Sequence, residues 1–224
     1  QFSDSFSLSL GQPVTDQNFV VTPLSSIMNA YDGSTDYDAF KTKLGLDSDY
    51  MIRFNDPFSN LGNASSNKAA VVNSQIAIIT DLTSEIGSFS YTDAGKSLAT
   101  EIISRSGNET SLGDTTFIKN FITTLSNSND FSPSSEQLVS LSAGISAFMQ
   151  KINADDSSKS HSHFAKVGMS FLSDAMKGVM DGTASEGYLD ALIFETNGWI
   201  QSDTDWGSTA SSNAYVDNEA EMRE

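Results

Sequence analysis

Short acidic turns supply the side chains best suited to chemistry in this sequence. Residues 32–38 read Asp-Gly-Ser-Thr-Asp-Tyr-Asp, and two further Asp-x-Asp pairs occur at 47–49 and 203–205. Carboxylate oxygens are the ligands that Ca²⁺ prefers, although none of these turns has the spacing of an EF-hand loop. The alternative is structural: Asx turns, and acids that favour a helix N-terminus. The candidate Ca²⁺ ligands are Asp32, Asp36, Asp38, Asp203 and Asp205.

Catalytic residue sets are missing from the sequence. The absence of Cys excludes a thiol nucleophile and Cys-ligated metal centres. His161 and His163 are the only histidines, and on a helix their side chains would point about 200° apart, too far to share a metal ion. In a strand or loop they could share one, with a carboxylate such as Asp155 or Asp156 as a further ligand. No nucleophile elbow, P-loop or dinucleotide fingerprint occurs. We therefore expect a protein that is not an enzyme; the plentiful carboxylate pairs leave an unrecognised hydrolase as the weakest alternative.

The charge of the chain limits its partners. Twelve basic and 29 acidic residues give a net charge of −17, which repels nucleic acid and anionic lipid and attracts divalent cations. No apolar run has the length of a membrane span. The polar, weakly basic composition favours an extracellular or cell-surface location.

The two ends of the chain predict a small β element. Apolar residues alternate with polar ones over residues 2–10, which is typical of a strand with one buried face. Near the other end, Asn197-Gly198 between apolar residues predicts a hairpin over 192–200. The N-terminal strand has an exposed backbone edge, which it could cover by pairing with this hairpin or by adding to a neighbouring copy. Alternatively, the strand is the remnant of a preceding β-domain. Its apolar face consists of Phe2, Phe6, Leu8 and Leu10.

Helical periodicity dominates the middle of the chain. Thr22-Pro23 is an N-cap followed by a favourable first helical residue, and Gly45 is a helix stop. We predict helices from Thr22-Pro23, over 36–44, from a Ser66 cap to Ile86, and over 92–105, 114–126, 134–153 and 160–181. The predicted core comprises Leu24, Ile27, Met28, Phe40, Leu44, Ala69, Val72, Ile76, Ile79, Leu98, Ile102, Phe117, Phe121, Leu138, Leu141, Ile145, Phe148, Phe164, Val167, Phe171 and Met180.

These elements define the predicted fold: mainly α, a multi-helix bundle with a small β element formed by the N-terminal strand and the C-terminal hairpin. Residues 1–20 would be the strand and lead-in, and 21–182 the helical domain, with halves at 21–90 and 91–182. Residues 183–224 would be the hairpin and a polar tail, which carries nine acidic residues and one Arg.

Residues 20–58 also resemble a known module. Val20-Val21-Thr22-Pro23-Leu24-Ser25, then Lys43-Leu44-Gly45-Leu46, then Asp56-Pro57 precede a helix containing Lys68-Ala69-Ala70-Val71-Val72-Asn73. This order is similar to a helical module of very large bacterial, including cyanobacterial, surface proteins and adhesins, matched over about residues 20–90. The resemblance implies an extracellular, often calcium-rich setting of assembly or adhesion, and it implies no catalytic residues.

The function we expect is that of an extracellular structural or adhesive module of a bacterial cell-surface assembly. Ca²⁺ would assist it, strand addition would drive self-association, and its partners would be other copies or neighbouring domains of a longer surface chain. The alternative is a glycan- or peptide-binding module whose stacking surface is formed by Trp199 and Trp206.

Overall fold

The computed structural model describes residues 20–31, 37–57, 64–87, 89–107, 110–128, 131–154, 173 and 176–183, and these described residues are mainly helical. The helices are α1 (Pro23–Ala30), α2 (Tyr37–Lys43), α3 (Ala64–Gly87), α4 (Tyr91–Ser104), α5 (Thr115–Ser128) and α6 (Ser135–Ala154). Residues 176–181 form a further helical segment. The predicted mainly helical class is confirmed. The predicted ends of α2, α4, α5 and α6 and the C-terminal end of α3 lie within two residues of the observed ones.

The predicted cap of α3 is wrong. The helix begins at Ala64, so Ser66 lies within its first turn instead of preceding it. The spacing of Ala69, Val72 and Ile76 identifies the buried face of a helix but does not fix its first residue, which depends on local backbone geometry.

The start of α1 follows from its sequence. Thr22 has extended backbone angles, with φ −127° and ψ 161°, and its side chain accepts a hydrogen bond from the Ser25 amide at 3.1 Å. The Thr22 amide in turn donates to the Ser25 hydroxyl oxygen at 2.8 Å. These reciprocal bonds form a capping box that satisfies two amides with no partner inside the helix.

Glycines end two of the helical segments. Gly45 has φ 62°, its amide donates to the Thr42 carbonyl, and the Leu46 amide donates to the Lys41 carbonyl. Gly182 has φ 70° and repeats the pattern, with the Thr183 amide bonded to the Gly178 carbonyl. Both are Schellman caps, which need a left-handed residue at this position. The predicted stop at Gly45 and the predicted helix end at 181 are confirmed.

Helix α3 lies at the centre of the fold. It packs against α1, α4 and α6, and every residue from 69 to 80 is buried. Helix α5 packs on α4 and α6 and is amphipathic, with Phe117, Phe121 and Leu125 buried on one face. Helices from both predicted halves share one hydrophobic cluster, since α1 packs on α4 and α3 packs on α6.

Most of the predicted core is confirmed among the described residues. Leu138 and Met180 are only partly buried, and they pack against the edge of the hydrophobic cluster. Phe164, Val167 and Phe171, like most of the helix predicted over 160–181, lie outside the described residues. So do the N-terminal strand over 2–10 and the hairpin over 192–200, and the predicted β element therefore stays a prediction.

Candidate functional site

Asp38 is the one predicted Ca²⁺ ligand that lies within the described residues. It occupies the first turn of α2 with its side chain 86% exposed, and its carboxylate pairs with the Lys41 ammonium at 2.7 Å. The same ammonium donates to the Ser48 carbonyl at 2.5 Å and so joins α2 to the following turn. A cation at Asp38 would compete with Lys41. Asp32, Asp36, Asp203 and Asp205 lie outside the described residues.

The turn at 47–49 is built by the backbone. The Tyr50 amide donates to the Asp47 carbonyl at 3.0 Å, and residues 47–49 are exposed. Within the described part of the chain, no three His, Asp or Glu side chains come together in a way that could hold a metal ion. Ca²⁺ binding at Asp38 and at the turn 47–49 stays a prediction.

Three exposed apolar side chains belong to residues close to the hydrogen bond between Val20 and Arg53. We call Val21, Met51 and Phe54 the apolar patch; their exposed fractions are 56%, 56% and 40%. The Val20 amide donates to the Arg53 carbonyl at 2.8 Å, which places Val21 and Phe54 beside a bonded pair. The Phe54 amide donates to the Met51 carbonyl at 2.9 Å, so one turn brings these two residues together. The patch thus joins residues 20–21 to the turn at 51–55.

Arg53 holds this turn against two helices. Its guanidinium lies 4.9 Å from the ring centroid of Tyr37 in α2 and donates to the Asn29 side-chain oxygen in α1 at 2.9 Å. Cation–π stacking and one neutral acceptor position the group without neutralising it. Among the described residues, no carboxylate forms an ion pair with Arg53.

Tyr50 anchors the turn from inside. Its ring is buried, and its hydroxyl donates to the Asn55 carbonyl at 3.3 Å. Burial, followed by the negative charge of Asp56, raises the pKa of Tyr50 to about 12. The phenol therefore stays protonated across the physiological range and acts as a structural donor.

A second group of charges fastens the loop between α4 and α5. The Lys43 ammonium donates to the carbonyls of Arg105 and Gly107, the latter at 2.6 Å, while the Thr110 amide donates to the Lys43 carbonyl at 2.5 Å. Arg105 pairs with Glu101 at 3.3 Å and lies over the Phe117 ring, 5.2 Å from its centroid. The Lys43 ammonium and the Arg105 guanidinium are therefore both bound by groups of the same chain.

Buried polar residues of α3 form contacts that helical periodicity does not predict. The Asn73 side-chain oxygen accepts from the Leu24 amide at 2.9 Å, and its nitrogen donates to the Ala69 carbonyl at 2.8 Å. Gln75 donates to the Met149 carbonyl in α6 at 3.0 Å. Each side chain links α3 to another helix or satisfies a buried backbone group, as buried polar groups require.

One cavity bordered by described residues is small and apolar. A cavity bordered by Ile86, Phe89, Phe131 and neighbouring side chains has a volume of about 10 Å³ and an apolar lining. Small-molecule sites are typically about 300–1,000 Å³ with a few convergent polar groups. This cavity is too small to hold such a ligand.

The apolar patch was not predicted from the sequence, although a signal for it exists. A hydrophobic residue that precedes an N-cap often packs on the fourth helical residue. Here Val21 precedes Thr22, but the fourth helical residue is Ser26, which offers no apolar partner. The missing staple indicates that Val21 faces elsewhere.

Comparisons with protein-family models, curated proteins and solved structures found no match. Within the described residues, no helix has the length and apolar character needed to cross a membrane. Phe2, Phe6, Leu8, Leu10, Trp199 and Trp206, predicted as contact residues, all lie outside those residues.

Proposed function

We propose that this chain is a structural or adhesive module of an extracellular bacterial surface assembly, and that it acts through its surface. The observation that carries the proposal is how charge is divided along the chain. Residues 1–182 hold 20 acidic and eleven basic residues, a net charge of −9. Residues 183–224 hold nine acidic residues and one Arg, so these 42 residues alone carry a net charge of −8.

This division supports a helical scaffold followed by an acidic segment. A helical region with a filled core is suited to hold a shape. Acidic segments repel one another until a divalent cation bridges them, so contacts between copies would be sensitive to Ca²⁺. The acidic turns at 32–38 and 203–205 are the proposed bridging sites. The resemblance over residues 20–90 supports the same setting.

Association measured by light scattering tests the proposal. The chain has a mass of 24.0 kDa, and a concentration series should give a rising average mass in Ca²⁺. An NaCl solution of the same ionic strength controls for screening and should give no such rise. A mass that stays at the monomer value in both solutions would reject self-assembly and favour the ligand-binding alternative.

The predicted strand addition is tested by a second variant. Deleting residues 1–11 should abolish association if these residues add to a neighbouring copy. If Ca²⁺-bridged acidic surfaces suffice, the deleted chain should still associate. The deletion thus distinguishes assembly by strand addition from assembly by Ca²⁺ bridging, and either hypothesis can be rejected without the other.

A further inference from the structure

The last described helical segment is short and ends beside the start of α6. We call residues 176–183 the strap; residues 176–181 are helical, and Gly182 lies in the cap that ends them. Six helical residues are too few to form a stable helix alone. Met176 and Val179 are buried. The strap is therefore held in its helical form by contacts with the rest of the fold.

Gln137 is the third residue of α6 and takes part in the cap of that helix. The Ser134 backbone amide donates to the Gln137 side-chain oxygen at 2.8 Å, and the Gln137 backbone amide donates to the Ser134 hydroxyl oxygen at 3.1 Å. These reciprocal bonds form a capping box, a motif in which both Glu and Gln are suitable at this position. The cap of α6 therefore does not explain why position 137 carries an amide instead of a carboxylate.

The nitrogen of the same side-chain amide binds the end of the strap. It donates to the Val179 and Met180 carbonyls, each at 3.2 Å. The backbone bonds of the Gly182 cap end on the Gly178 and Val179 carbonyls and not on that of Met180. Gln137 thus provides donors beyond those of the cap itself. A side-chain amide has an acceptor oxygen and two donor hydrogens, whereas a carboxylate has acceptors only.

The two helix ends that meet at Gln137 have opposite partial charges. The first amides of α6 carry partial positive charge, and the last carbonyls of the strap carry partial negative charge. A carboxylate at position 137 would favour the start of α6 and repel the end of the strap. The neutral amide suits both ends, which explains its presence at this position.

We propose that the strap is a separately releasable element of the fold and that the side-chain amide of Gln137 is its anchor. The chain continues from the strap into residues 184–224, which carry nine acidic residues and one Arg. The anchor thus holds the element from which this acidic stretch continues. The inference goes beyond the proposed function and does not depend on it, because the anchor consists of neutral groups that bond with or without Ca²⁺.

Hydrogen–deuterium exchange of the full chain, measured by mass spectrometry, tests the anchor. Gln137→Glu keeps the acceptor in the α6 cap and removes the donors to the strap. Amide exchange over residues 176–183 should become about tenfold faster or more, since two hydrogen bonds are lost and the carboxylate repels the carbonyls. Exchange over residues 135–142 should stay the same or become slower, because the added charge favours the start of α6.

Ser135→Glu is the matched control for the added charge. Ser135 is exposed in the same helical turn, and this variant keeps the Gln137 amide. Exchange over residues 176–183 should therefore stay at the rate of the parent chain. Gln137→Met gives a second test without added charge: it removes both the acceptor and the donors, so the strap and the start of α6 should both exchange faster. Circular dichroism checks that each variant remains helical.

The position of the faster exchange decides the outcome. Faster exchange of the strap alone in Gln137→Glu supports the anchor. An unchanged rate over residues 176–183 would overturn it. An equal rise over residues 135–142 would also overturn it, because the variant would then weaken α6 and not the strap specifically. The same holds if Ser135→Glu loosens the strap as much as Gln137→Glu does, since charge alone would then be the cause.

Discussion

The helical region and the C-terminal segment, residues 183–224, differ most in charge density. Residues 1–182, which include the described helices, carry a net charge of −9, whereas the 42 residues of the C-terminal segment alone carry −8. The first region is held by buried apolar groups and by polar groups that bond to backbone. Buried contacts in the helical region therefore stabilise the fold, whereas the acidic side chains outside it would respond to cations. Changes inside the helical region should alter the free energy of unfolding, and changes among the remaining acids should alter the response to Ca²⁺.

Truncation in the enclosed helix should have the largest effect. Ile76 is completely buried in α3, and Ile76→Ala leaves a cavity that should lower the free energy of unfolding by about 3 kcal/mol. Val139→Ala on the surface of α6 is the control and should change it by less than about 0.5 kcal/mol. Urea unfolding measures both. Similar small effects would mean that α3 is not enclosed.

Two asparagines test the polar contacts of the same helix. Asn73→Ala removes the acceptor of the buried Leu24 amide and should cost about 2 kcal/mol. Asn120 lies exposed on α5, so Asn120→Ala should stay within about 0.5 kcal/mol of the parent. Equal costs for the two variants would contradict a role for Asn73 in joining α3 to α1.

The ionisation of Tyr50 should make the helical region sensitive to alkaline pH. Its pKa is about 12 in the folded chain against 10.0 for the unperturbed group. The folded state therefore holds this proton more tightly, and its stabilising contribution is complete below pH 10 and is lost as pH rises towards 12. The loss approaches about 1 kcal/mol per pH unit in that window. Urea unfolding at pH 9, 10 and 11 should show it in the parent and not in Tyr50→Phe; identical pH profiles would refute it.

The cap at Gly45 should contribute a smaller amount. Its φ of 62° is strained for a residue with a side chain, so Gly45→Ala should lower the free energy of unfolding by about 1 kcal/mol. Asn tolerates this conformation better, and Gly45→Asn should cost less than Gly45→Ala. The reverse order, measured by thermal unfolding, would argue against the Schellman cap.

Residue patterns alone predicted much of the helical region. In α5, apolar Phe117, Phe121 and Leu125 alternate with exposed Thr116 and Lys119, so periodicity predicts the buried face correctly. Local chemistry also predicted the N-cap at Thr22 and the stop at Gly45, because both depend on residues close in sequence.

Other features depend on contacts distant in sequence. Periodicity found one face of α3 but not the burial of Asn73 and Gln75, whose partners lie 49 and 74 residues away. The apolar patch was missed for the same reason, since it exists only where Val20 bonds to Arg53. The local pattern shows only that Val21 has no staple partner in α1, and it does not reveal the contact with Arg53.

The response of the melting temperature to Ca²⁺ tests most directly whether the acids outside the helical region hold cations. The account predicts that Ca²⁺ raises the melting temperature more than NaCl of equal ionic strength. Asp203→Asn with Asp205→Asn should reduce this excess. Glu136→Gln with Asp181→Asn removes as much charge from exposed positions in the helical region and should leave the excess unchanged. Equal shifts in the two salts for the parent chain would contradict the account, because they would show screening without a binding site.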